Sequence, residues 1–207
     1  EVHPTDKLLP GKPIPPGELW TLRSRRPLLK AETHTGRDVT ALLKKADGQM
    51  VSPSKLREPQ LRGLAEPHSV TLDFGPLETE KPLVLALTGW LRFGGGMANI
   101  SASHQQDLPY PFPVMQVEVA GKWEPVNVTV GAPAGKTKTI LVDLNHKLPP
   151  GGRKLRISTA FEIHWDRIAL FERAPNSETM VTSFSPTLSD LHWRGFSDFA
   201  DLPWTFP

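Results

Sequence analysis

Residues 115–130 read Met-Gln-Val-Glu-Val-Ala-Gly-Lys-Trp-Glu-Pro-Val-Asn-Val-Thr-Val. Met115, Val117 and Val119 alternate with Gln116 and Glu118. After Ala120-Gly121-Lys122, Trp123 leads into Val126, Val128 and Val130, which alternate with Asn127 and Thr129. A period of two on both sides of a glycine-containing turn is the signature of a β-hairpin with one face buried. This stretch sets the expectation for the rest of the chain.

Working outward, the same period recurs. Val70, Leu72 and Phe74 alternate with Ser69, Thr71 and Asp73 before Gly75-Pro76 ends the run. Pro82 to Phe93 is more continuously apolar, as a strand buried on both faces would be. A short strand is expected over Ala98–Ser103, and further strands over Lys138–Leu144 and Lys154–Thr159. Phe161, Ile163 and Trp165 then alternate with Glu162, His164 and Asp166, and Ile168–Phe171 closes the series. About eight short strands separated by turn residues predict an all-β jelly-roll sandwich. Trp123 and Trp165, on or beside the apolar positions, are expected in its core.

Two stretches break the pattern. Val39, Leu42, Leu43 and Ala46 recur at helical spacing, with Asp38 placed to cap the start and Gly48 to end it, so one short helix is expected over 38–48. Residues 49–68, with prolines at 53, 59 and 67, read as a surface connection. Prolines at 4, 10, 13, 15, 16 and 27 make residues 1–30 an expected linker or strap, with Trp20 and Leu22 to press on the body. The sandwich domain is expected over 31–173. Residues 174–207 form an aromatic tail, expected to pack on the sandwich or on a domain outside this chain. The chain starts without methionine and ends on Trp204-Thr205-Phe206-Pro207, which reads as a fragment of a larger protein.

Composition argues mainly by exclusion. The 207 residues contain no cysteine, which removes disulfides, thiolate metal sites and cysteine nucleophiles. With 24 basic and 22 acidic residues the charge is nearly balanced, so no nucleic-acid partner is expected. Arg23, Arg25 and Arg26 beside Trp20 read as a solvated segment. No apolar run reaches the roughly 20 residues that cross a bilayer as a helix, so no membrane insertion is expected.

Motifs for chemistry are weak. Ala134-Gly135-Lys136-Thr137 lacks the earlier glycine of a phosphate-binding loop and leads into Lys138–Val142, which reads as strand. Gly94-Gly95-Gly96 reads as a loop. The seven histidines are scattered without a metal-binding spacing, and no Gly-x-Ser-x-Gly elbow marks a nucleophile. No catalytic residue, metal ligand or cofactor is therefore assigned, and a structural calcium ion is left open. His164 and Asp166 fall on one face of a strand and read as a surface pair; a hydrolase using them, or other carboxylates, is the least favoured function. Aromatic side chains near polar groups suggest a sugar-stacking surface. The candidate ligand residues are Tyr110, with His104, Gln105 and Asp107 beside it in a proline-rich loop, and Trp90.

Two resemblances add to this. Ser-Val-Thr-Leu-Asp-Phe-Gly (69–75), Leu-Val-Leu-Ala-Leu-Thr-Gly (83–89) and Ile-His-Trp-Asp-Arg-Ile-Ala-Leu (163–170) resemble the galactose-binding-like jelly roll of discoidin-type domains and carbohydrate-binding modules. The phrases at 3–12, 34–40 and 133–139 look like C-terminal regions of large bacterial proteins with FG-GAP propeller repeats, an ASPIC/UnbV-type segment and sometimes tetratricopeptide repeats. That likeness implies an accessory module of an exported or surface-associated protein and carries no catalytic residue over. The expected function is a non-catalytic binding or interaction module, with a glycan or neighbouring domains of the parent as partner. The alternative is a purely structural domain that packs against the parent's propeller or repeats.

Overall fold

The computed structural model describes residues 1–4, 19–57, 61–95, 104, 112–174, 184–193 and 195. Tyr110, Gln105, Asp107 and the strand expected over 98–103 lie outside them.

Among the described residues the fold is all-β, with ten strands in two antiparallel sheets. The strands are β1 (Val2–Pro4), β2 (Leu19–Arg26), β3 (Lys30–Thr33), β4 (Leu64–Asp73) and β5 (Leu83–Leu91). They continue with β6 (Val114–Val119), β7 (Lys122–Val126), β8 (Lys138–Asp143), β9 (Gly152–Phe161) and β10 (Ile163–Arg173). One sheet runs β1-β2-β10-β5-β8, the other β3-β4-β9-β6-β7.

The alternating positions meet in one core between the sheets. Leu83, Leu85, Leu87, Ile163, Trp165, Ile168 and Leu170 from the first sheet join Val70, Leu72, Met115, Val117, Leu155 and Ile157 from the second. β5 is apolar on both sides because Val84 and Ala86 point away from this core. There they pack with Trp20, Leu22, Ala169 and Phe171. The hairpin β6–β7 forms, but β7 ends at Val126, so Val128 and Val130, expected to continue the alternation, lie beyond the strand. Ala120 (φ 48°) and Gly121 (φ 79°) both take left-handed backbone, as a two-residue hairpin turn matched to strand twist demands.

Several expectations are corrected. The helix over 38–48 is only a 3-10 turn, Leu42–Lys44. Its apolar residues Val39 and Leu43 are buried as anticipated. However, long-range bonds hold the chain at both ends. The Val39 N–H donates to the Ala31 carbonyl, and the Asp47 and Gly48 N–H groups donate to Asp166. Asp38 accepts from the Thr40 N–H and hydroxyl, at 2.8 and 2.6 Å, and so closes a local turn. Those bonds hold its carboxyl below the usual range, the Thr40 hydroxyl contributing most.

The surface connection at 49–68 ends early, because Leu64–His68 already belongs to β4. A register shift between Leu64 and His68 accommodates Pro67 there. In the first segment, Leu19–Arg26 pairs with both β1 and β10 and is internal to its sheet. The prolines flank this strand instead of interrupting it. Arg26 reaches Glu78 at 2.6 Å and Glu172 at 3.3 Å, so this arginine belongs to an ion-pair cluster. Trp123 is half-buried on the outer face, under the Arg156 guanidinium at 3.7 Å, and not in the core. Its register partner is Glu118, whereas the core-facing Met115 pairs with Val126. Lys136-Thr137 leads into β8, so no helix follows Gly135.

Phe161, Ile163 and Trp165 are not one strand. Phe161 ends β9 in the second sheet and Ile163 begins β10 in the first, with Glu162 alone between them. The alternation survives because both strands face the same core. Glu162 is thus a one-residue corner between the two sheets. Its N–H donates to the Gly63 carbonyl and its carbonyl accepts from the Arg92 N–H.

Candidate functional site

Beside this corner, a cleft of about 160 Å³ opens between the sheets. Its apolar wall is Val70, Ile157, Ile163 and Trp165, all core positions. Its polar lining comes from three segments. The turn after β3 brings Thr33, His34, Thr35 and Arg37; residues 52–54 bring Ser52 and Ser54; β4 brings His68 and Ser69.

Each segment is fixed by backbone bonds. The Gly36 N–H donates to the Thr33 carbonyl and the His34 N–H to the Ser69 carbonyl, which ties the turn to β4. Gly36 takes φ 81° at the bend, a conformation natural to glycine. Val51 and Trp165 exchange both backbone bonds, at 2.7 and 3.0 Å, so Ser52 stands opposite His164.

The imidazoles differ in state. His68 Nδ1 lies 2.9 Å from the Glu66 carbonyl and donates to it, which leaves Nε2 as an unprotonated acceptor. That Nε2 is buried without a hydrogen-bond partner. Burial pushes the His68 pKa below the usual histidine value. The His34 ring lies 6.4 Å away and tilted. At neutral pH His68 therefore brings no charge to the cleft it lines.

His164 is more connected. Its Nδ1 is 2.8 Å from Ser52 Oγ and its Nε2 is 3.2 Å from Glu162 Oε1. Glu162 is 2% exposed and also meets Arg92 at 3.6 Å. The Trp90 ring stacks on His164 at 5.3 Å and 27°, while its Nε1–H donates to the Gly135 carbonyl.

The sequence-derived residues divide accordingly. Trp90 sits against His164, so one face of its ring is already covered. His104 is exposed. His164 and Asp166 are not a surface pair. A register shift between Trp165 and Arg167 interrupts the alternation, and Asp166 turns in to accept the Asp47 and Gly48 N–H groups at 3.1 and 3.0 Å. Ser52, His34, His68 and Glu162 were not singled out in the sequence. Glu162 was open to detection, since positions 162 and 164 of an extended run share a face. Ser52 carried no such signal.

Among the described residues no group of three or more His, Asp or Glu side chains is arranged to hold a metal ion. No helix among them is long and apolar enough to cross a membrane. The chain matches no protein-family model and no curated protein sequence.

Proposed function

We propose that this chain is a binding module of a larger bacterial protein, of the galactose-binding-like jelly-roll kind, and that its ligand is a saccharide held in the cleft. One observation carries the reading: an apolar wall containing Trp165 faces a lining of hydroxyls, imidazoles and the Arg37 guanidinium within a volume suited to one ring. A sugar ring has an apolar face for the aromatic wall and hydroxyls for Thr33, Thr35 and Ser69. Pockets of this make-up, apolar with a few convergent polar groups, favour small polar ligands.

Calorimetric titration against a panel of mono- and oligosaccharides tests this. Binding that weakens in His68→Ala, which removes an imidazole from the cleft lining, is expected. Silence across the panel, or binding indifferent to His68, removes the saccharide reading.

A second reading, a structural domain packing on its parent, rests on a different observation. Phe184, Leu188, Leu191 and Trp193 are 75–99% exposed within ten residues outside the strands. Such a density of exposed apolar groups marks an interaction segment. Adding the parent's adjoining repeat region should shift Trp193 fluorescence to the blue. A spectrum that stays unchanged at saturating concentration rejects this reading.

A further inference from the structure

We infer that Ser52, His164 and Glu162 form a hydroxyl–imidazole–carboxylate relay, which makes Ser52 a nucleophile toward carboxylic esters, the natural substrate being an O-acylated saccharide held in the adjoining cleft. The substrate class rests on the binding reading above; the relay rests on geometry alone. It also goes against the sequence expectation of a chain without a catalytic centre.

Glu162 is buried at the corner between β9 and β10 and, ionised, only accepts hydrogen bonds. Held 3.2 Å from Oε1, His164 Nε2 therefore carries the proton. That tautomer leaves a lone pair on Nδ1, which faces Ser52 Oγ at 2.8 Å, so the hydroxyl donates to the imidazole. This is the polarity a general base needs. The stacked Trp90 ring restrains the plane of the imidazole, and the Val51–Trp165 bridge restrains Ser52. Ser52 is itself exposed and lines the cleft, so an ester bound there meets the hydroxyl. Which ring nitrogen faces which partner is immaterial, because roles follow from connectivity.

The reaction balances without any further reagent but water. Ser52 Oγ bonds to the ester carbonyl carbon while its proton passes to Nδ1. The carbon–alkoxy bond then breaks, and Nδ1 returns the proton to the departing alcohol. Water attacks the acyl-serine, its proton moves to Nδ1, and collapse restores the Ser52 hydroxyl and releases the carboxylic acid. Glu162 positions the imidazole and stabilises its charged form.

The test uses the purified chain with an alkyl fluorophosphonate, which phosphonylates activated serines and needs no saccharide. Expected is one phosphonyl group per chain on the Ser52 peptide by mass spectrometry, forming faster at alkaline than at acidic pH, as a base-assisted reaction requires. Ser52→Ala abolishes it. His164→Phe, which keeps a ring against Trp90, slows it by about 100-fold or more. Glu162→Gln slows it and displaces its pH profile, a change that a purely structural carboxylate would not cause. Failure to label Ser52, or equal labelling in His164→Phe, overturns the relay, whatever the saccharide titrations show. Labelled Ser52 without saccharide binding upholds the relay and removes only the proposed cleft ligand. Should His164→Phe not fold, the Ser52→Ala comparison and the wild-type pH profile decide alone.

Discussion

Two buried carboxylates stand four residues apart and are held in opposite ways. Asp166 is 4% exposed and accepts two backbone N–H groups, from Asp47 and Gly48. Glu162 is 2% exposed and meets only side chains, His164 and Arg92, and its Oε2 has no hydrogen-bond partner. The first arrangement fixes a loop to a strand and spends the acceptor capacity on structure. The second leaves a carboxylate with unspent acceptor capacity next to an imidazole. Burial alone therefore does not tell a structural carboxylate from a reactive one; the identity of its donors does.

The largest effect should come from breaking the structural member. Asp166→Ala leaves two backbone donors without their acceptor and is expected to cost about 3 kcal/mol in denaturant unfolding, since bonds to a charged group contribute about 1.5–3 kcal/mol each. Asp166→Asn keeps an acceptor oxygen and should recover more than half of that loss.

Next comes β5, which pairs with β10. An added Cβ at Gly89 would lie 2.5 Å from the His164 carbonyl oxygen and 2.9 Å from Trp165 Cε3. Gly89→Ala is expected to destabilise by about 1–3 kcal/mol through overpacking, and to perturb Trp165 fluorescence. An unchanged melting curve would show that β5 and β10 can separate at little cost.

Glu162→Gln sharpens the contrast. The amide keeps the shape and one acceptor for Nε2–H, so the expected stability change is about 1 kcal/mol, against the larger loss at Asp166→Ala. Equal losses at the two sites would erase the distinction drawn here.

The smallest effect is in pH. Burial holds the His68 pKa below its ordinary value, so the unfolded chain binds the proton more readily than the folded one. Stability should then fall as pH drops through the ordinary histidine range, and remain unaffected by this group above it. His68→Gln should flatten that part of the pH–stability curve. A curve identical to wild type would mean that Nε2 is solvated in solution.

The described strands between Ser69 and Phe171 were legible because a period of two must be buried on one face. The same reasoning missed β2, since proline density in the surrounding segment outweighed the proline-free run Leu19–Arg26. The spacing of Val39, Leu42 and Leu43 did indicate burial. It did not specify a helix, because bonds from Val39 to Ala31 and from Asp47 and Gly48 to the sequence-distant Asp166 determine the backbone there. The site was less legible for a related reason. Ser52 and His164 are 112 positions apart and meet only through the Val51–Trp165 bridge. An interrupted register then sends Asp166 inward, where strict alternation had placed it beside His164.

The placement of β5 has a consequence for how the chain is made. Leu83–Leu91 is apolar on both faces, and its neighbours β8 and β10 both follow it in sequence. The roughly 80 residues separating it from the end of β10 take about 4–16 s to translate at 5–20 residues per second. Throughout that interval an apolar, uncharged nascent segment lacks at least one of its two partners, which makes β5 a natural target of a holdase chaperone.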